Sequence, residues 1–141
     1  MFARWMARPP LKTREPILRS GMDAFRAGNA VATLKILLTE VEGVLSEACF
    51  AATGERTHRI PKLLDFVQTA AATRAGGQDT LFFPVEFAGY LKDHTFAGFT
   101  PGAARSASRN AVGHGALPAD QYTLVRALQA VLTLDQLAFY T

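Results

Sequence analysis

With 141 residues, 49% hydrophobic and 19% charged, the chain fits one domain with a core of its own, which excludes a disordered charged tail. The net charge is +3, and eleven of the 15 basic residues are arginine, a side chain suited to phosphate, although no dense basic run marks a nucleic-acid stripe. No apolar run reaches the ~18–20 residues that cross a bilayer, the start MFARWMARPP lacks the apolar stretch of a secretory signal, and the single Cys49 cannot form an internal disulfide, so the expected setting is cytoplasmic, without membrane association.

Residues 1–13 read as an N-terminal arm, because Pro9-Pro10 cannot occupy a helix interior and Trp5 is the one large anchor; it either packs on the domain or is the remnant of a longer protein's linker. A single helical domain is expected over 14–141. Its first helix spans 15–27, with Pro16 in the first turn, Gly28-Asn29 as the stop, and Ile17, Leu18, Met22 and Phe25 at helical spacing. Gly21 weakens it. The clearest helix covers 30–53. There Leu34, Leu37, Leu38, Val41, Val44, Leu45, Ala48 and Cys49 recur with a period near 3.6 and form one apolar stripe, ended by Gly54.

A polar connection, 55–59, leads to a helix opened by Pro61 and running to 73, with Leu63, Leu64, Phe66, Val67 and Ala70 inward. After a loop at 76–79, a fourth helix is expected over 83–94, with Phe83, Phe87, Tyr90 and Leu91 on its apolar side. A turn at 95–102 precedes a short helix over 103–112, stopped by Gly113 and Gly115. The last helix, 119–140, is apolar on most sides, which places it at the bundle centre or at a subunit interface. Five to six helices with short connections and no convincing strand pair make an all-α, compact bundle.

Most catalytic signatures are missing: no Gly-rich phosphate loop, no GxSxG, no HExxH and no CxxC, and the spacing of three histidines and one cysteine marks no metal site. No cofactor is expected. What remains is Ser108-Arg109-Asn110-Ala111-Val112-Gly113-His114-Gly115. His114 can take or give a proton near neutral pH, and Arg109 can hold a phosphate and offset developing charge. Asn110, four residues before His114, shares its helix face and could orient the imidazole. Arg109 and His114 lie about 140° apart on a regular helix, so they diverge unless Gly113 unwinds the last turn. The same residue types also suit a helix C-terminus, where cations and glycine are favoured. His58 reads as a surface loop residue and His94 as a helix cap.

The run Arg109-Asn110…His114-Gly115 resembles the motif of the HEPN superfamily, an Arg followed by a polar residue and then a His. Tyr122, Leu134-Asp135-Gln136-Leu137 and the Glu42-Gly43 pair in the early apolar helix match features that many relatives carry. The resemblance touches roughly residues 30–140. It implies a HEPN-like helical bundle and a homodimer that brings two motifs together. It also implies metal-independent RNA cleavage, in which the ribose 2′-OH attacks the adjacent phosphate and leaves a 2′,3′-cyclic phosphate. Arg109, Asn110 and His114 would be catalytic, with Glu42 and Tyr122 in support. Toxin–antitoxin or phage-defence roles, with a neutralising antitoxin-like partner, are implied by the same likeness. The alternative is a non-catalytic helical dimerisation or binding module that recognises a protein, nucleotide or RNA.

Overall fold

The computed structural model describes residues 1–75, 84–100 and 107–140. The expected loop 76–79, residue 83 of the expected fourth helix, part of the turn 95–102 and residues 103–106 of the expected short helix lie outside the described residues. All regular structure among the described residues is helical, and none of these helices is long and apolar enough to cross a membrane.

The first thirteen residues pack on the domain, one of the two courses expected for them. They form two short helices, α1 (Phe2–Met6) and α2 (Pro9–Lys12), because Pro9 and Pro10 stand in a first turn, where no amide donor is needed. Trp5 and Leu11 are completely buried. The Trp5 indole Nε1 donates to Asp135 Oδ1 (2.8 Å), Arg4 pairs with the same carboxylate, and Arg8 Nε donates to the carbonyl of Ala138 (2.8 Å). All three contacts clamp this segment to the last helix.

Helix α3 (Glu15–Arg26) follows the expected bounds, except that Ile17 faces solvent while Leu18 and Met22 are buried. Gly21 has a packing reason: a Cβ there would overlap the side chain of Leu37, so the glycine lets α3 approach the next element closely. That element is capped by Asn29, whose Oδ1 accepts from the amide of Ala32 (3.0 Å). It runs as α4 (Ala30–Thr33), a π-helical turn π1 (Leu34–Leu38) and α5 (Thr39–Thr53), closed by Gly54 at φ +74°. The π turn loosens the carbonyl ladder, and the Thr39 hydroxyl sits against the carbonyls of Lys35 (2.8 Å) and Ile36 (2.9 Å). Every member of the expected apolar stripe, from Leu34 to Cys49, is buried.

Helix α6 (Ile60–Ala75) buries Leu63 and Val67. Helix α7 (Pro84–Tyr90) passes into a second π-helical turn, π2 (Leu91–Thr95), which ends where the Phe96 amide donates to Leu91 O (2.7 Å). The expected short helix is shorter than its pattern suggested: α8 covers Arg109–Gly113. The final helix is split. A 3-10 turn (Ala119–Gln121) precedes α9 (Leu124–Tyr140), and Tyr122 lies in the break. Helix α9 is the centre of the bundle, touching α1, α3, α4, α5, α6 and π1. Its inner face buries Ala127, Val131, Leu134 and Leu137, whereas Leu124, Val125, Leu128 and Leu132 remain exposed.

Candidate functional site

Helix α8 has five residues, too few to be stable alone. Both of its ends are chemically fixed. Ser108 caps the start, its Oγ accepting from the amide of Ala111 (3.2 Å). At the other end Gly115 adopts φ +66°, with its amide on Val112 O (3.2 Å) and the Ala116 amide on Ala111 O (2.8 Å). This is the paired closure of a Schellman motif, which only a residue tolerant of positive φ adopts cheaply. The stop is therefore Gly115 and not Gly113, which stays helical, and His114 is the C-cap residue at φ −87°, ψ 3°. Ala111 and Val112 are buried, and α8 packs against α5 and π1, so the core sets its position.

Arg109 stands at the first position of α8. One of its terminal nitrogens donates to Glu42 Oε2 at 2.6 Å and the other to Asn110 Oδ1 at 3.3 Å. The pair is partly buried, with Glu42 14% and Arg109 36% exposed. The second Glu42 oxygen lies 3.2 Å from Nδ1 of His58. Asn110 in turn donates through Nδ2 to the carbonyls of Phe96 (3.4 Å) and Ala97 (3.3 Å). Asn110 thus steadies the guanidinium and the turn after π2, rather than the imidazole considered from spacing. His114 is exposed, its ring 5.6 Å from that of Phe99 at an interplanar angle of 39°. Among the described residues no hydrogen bond joins Arg109 to His114. Tyr122 is half-buried and packs against the core.

The Glu42-Gly43 pair gains a physical meaning here. Glu42 reaches Arg109, while Gly43 leaves room for the guanidinium of Arg14, which a Cβ would overlap. Arg14 in turn pairs with Glu40 at 2.5 Å. Sequence reasoning brought Glu42, Arg109, Asn110 and His114 forward but missed His58. Its position in a polar connection carried no periodic signal, and only the fold sets it against Glu42. His94 is not a simple cap: it belongs to π2, with its ring 5.2 Å from Tyr90. Among the described residues no group of three or more His, Cys, Asp or Glu side chains is placed to hold a metal ion.

The arrangement offers a pinned, partly exposed guanidinium and a solvent-reachable imidazole on one short, rigid helix. No protein-family model matches this chain, and comparison with curated proteins and with solved structures gives no match.

Proposed function

We propose that the protein is a HEPN-type endoribonuclease acting as a homodimer without a metal ion. The observation that carries the reading is the placement of Arg109 and His114 at the two ends of α8. Both are open to solvent, and the guanidinium is held by Glu42 and Asn110. In the reaction the ribose 2′-oxygen forms a bond to the adjacent phosphorus as the bond from phosphorus to the 5′-oxygen breaks. The His114 imidazole of one protomer takes the 2′-hydroxyl proton, and the protonated His114 of the second protomer gives one to the 5′-oxygen as it leaves. Arg109 offsets the charge that builds on the phosphoryl oxygens. The products are a 2′,3′-cyclic phosphate and a free 5′-hydroxyl.

The exposed apolar stripe Leu124, Val125, Leu128 and Leu132 on α9 supports the dimer, since a surface of that kind is commonly an association face. A cytoplasmic setting and a neutralising partner belong to the same proposal. The test is RNA incubated with the pure protein in EDTA, beside Arg109→Ala and His114→Ala. Cleavage that survives chelation and disappears in both variants is the expected result. Equal cleavage by the variants, or none by the parent protein, overturns it.

One observation favours the second reading, a non-catalytic binding module of the same fold. The Arg109–Glu42 pair also serves as a strut between α8 and α5. In that case Arg109→Ala lowers stability through the lost strut, and neither Arg109→Ala nor His114→Ala changes any action on RNA.

A further inference from the structure

The proposed cleavage uses Arg109 and His114 and gives His58 no part, yet His58 is the imidazole joined to Arg109 through a shared carboxylate. Glu42 Oε2 accepts from Arg109 at 2.6 Å, and Oε1 lies 3.2 Å from His58 Nδ1. An ionised carboxylate only accepts, so Nδ1 is the ring nitrogen that carries the hydrogen. In the neutral ring Nε2 then keeps its lone pair, on a side chain that is 64% exposed. A fixed carboxylate that holds one ring nitrogen and presents the other as a base is the arrangement of proton-transfer dyads. Glu42, only 14% exposed, is the fixed member. His114 has no such support: among the described residues its ring makes no hydrogen bond and lies against Phe99.

The connection that carries His58 is anchored on both sides. Before it, Arg56 pairs with both oxygens of Glu47 (2.6 and 3.3 Å) and lies 4.7 Å from the centre of the Phe50 ring. After it, the Arg59 amide donates to Thr57 Oγ1 (3.2 Å), and the Arg59 carbonyl accepts from the amide of Leu63 in the first turn of α6 (3.1 Å). A contact as open to water as that of His58 with Glu42 contributes little to stability, so holding the fold together does not account for it.

We infer that His58, Glu42 and Arg109 form a hydrolytic site, complete within one protomer, that opens a ribose 2′,3′-cyclic phosphate to a phosphomonoester. The choice of substrate rests on the ribonuclease reading, because that reaction leaves such a ring at Arg109. The five-membered ring is strained, which makes its phosphorus open to attack by an activated water. His58 Nε2 takes a proton from the water as the water oxygen bonds to phosphorus. One of the two bonds from phosphorus to a ribose oxygen breaks, and the freed oxygen takes a proton from solvent. Arg109 offsets the charge on the phosphoryl oxygens. Glu42 touches no substrate and acts as a positioning residue for both groups.

Cytidine 2′,3′-cyclic phosphate given directly to the full chain in EDTA tests it, with phosphorus NMR reading the phosphomonoester formed. Ring opening is expected, and His58→Ala should slow it about a hundredfold or more, the contribution of one proton-transfer group. His58 is largely exposed, so its variant should keep the helix content of the parent protein by circular dichroism. RNA cleavage is measured as a separate arm. Ring opening without RNA cleavage supports this site and removes the ribonuclease reading, whereas RNA cut to cyclic ends that persist does the reverse. No ring opening at millimolar substrate, or an equal rate in the His58 variant, overturns the proposal.

Discussion

The Glu42–Arg109 contact permits a quantitative test of how α8 is held. Its two atoms are 2.6 Å apart, with one partner mostly buried and the other about a third exposed. A fully exposed pair contributes ~0–1 kcal/mol, and a charge-assisted hydrogen bond away from water ~1.5–3 kcal/mol. The intermediate exposure argues for a coupling of about 1–2 kcal/mol. Glu42→Gln keeps the shape but removes the charge facing both Arg109 and His58, and Arg109→Gln leaves the carboxylate with His58 alone. Each single substitution should lower the melting temperature by roughly 3–6 °C for a domain of this size. The double variant should lose less than the sum, by the coupling above. Thermal melts of the four proteins followed by circular dichroism measure the cycle. Additivity within ~0.5 kcal/mol would mean that the two side chains are neighbours without energetic consequence, and the argument that Glu42 positions Arg109 would collapse.

Gly21→Ala should destabilise by about 1 kcal/mol, because overpacking against Leu37 outweighs the helix-propensity gain of ~1 kcal/mol; a rise in melting temperature would contradict the close approach described for α3. Trp5→Ala should cost about 3–5 kcal/mol, lowering the melting temperature by roughly 10–15 °C, whereas a dispensable arm would show no change. Burial pushes the Tyr140 phenol above its ordinary range. Its folded value therefore exceeds its unfolded one, and the stability it contributes is complete below the ordinary tyrosine range and lost as pH rises through the folded value. Alkaline denaturation followed by circular dichroism should start at higher pH in Tyr140→Phe than in the parent protein; coincident curves would count against the burial argument.

How far the sequence revealed the fold depended on how far each segment relies on its own period. The stripe from Leu34 to Cys49 was legible because eight apolar residues repeat along one helix, and all eight are buried. The π turn inside it was not legible, since a single extra residue per turn hardly disturbs an apolar pattern that broad. The first helices were illegible for a different reason. Pro9-Pro10, barred from a helix interior, opens a short helix instead, and the clamp through Asp135 joins residues 130 apart, a distance no local pattern spans. At the candidate site, the motif residues stood out by chemical type. The stop at Gly115 instead of Gly113 is a question of φ, which two nearby glycines leave open until the backbone chooses.

The geometry of Arg109 removes a difficulty that the motif presents on paper. A guanidinium already paired with a carboxylate seems spent, yet arginine carries five N–H donors, and the contacts to Glu42 and Asn110 use two, one on each terminal nitrogen. Among the described residues the other three make no hydrogen bond. The pairing also fixes the plane of the group, so on the proposed reading an acceptor bound there would cost it little rotational freedom. Helix α8 transmits that order, because Ala111 and Val112 anchor it in the core while Ser108 and Gly115 hold its ends. Glu42 is therefore better understood as support for Arg109 than as an acid in its own right, while its neighbour Gly43 makes room for Arg14.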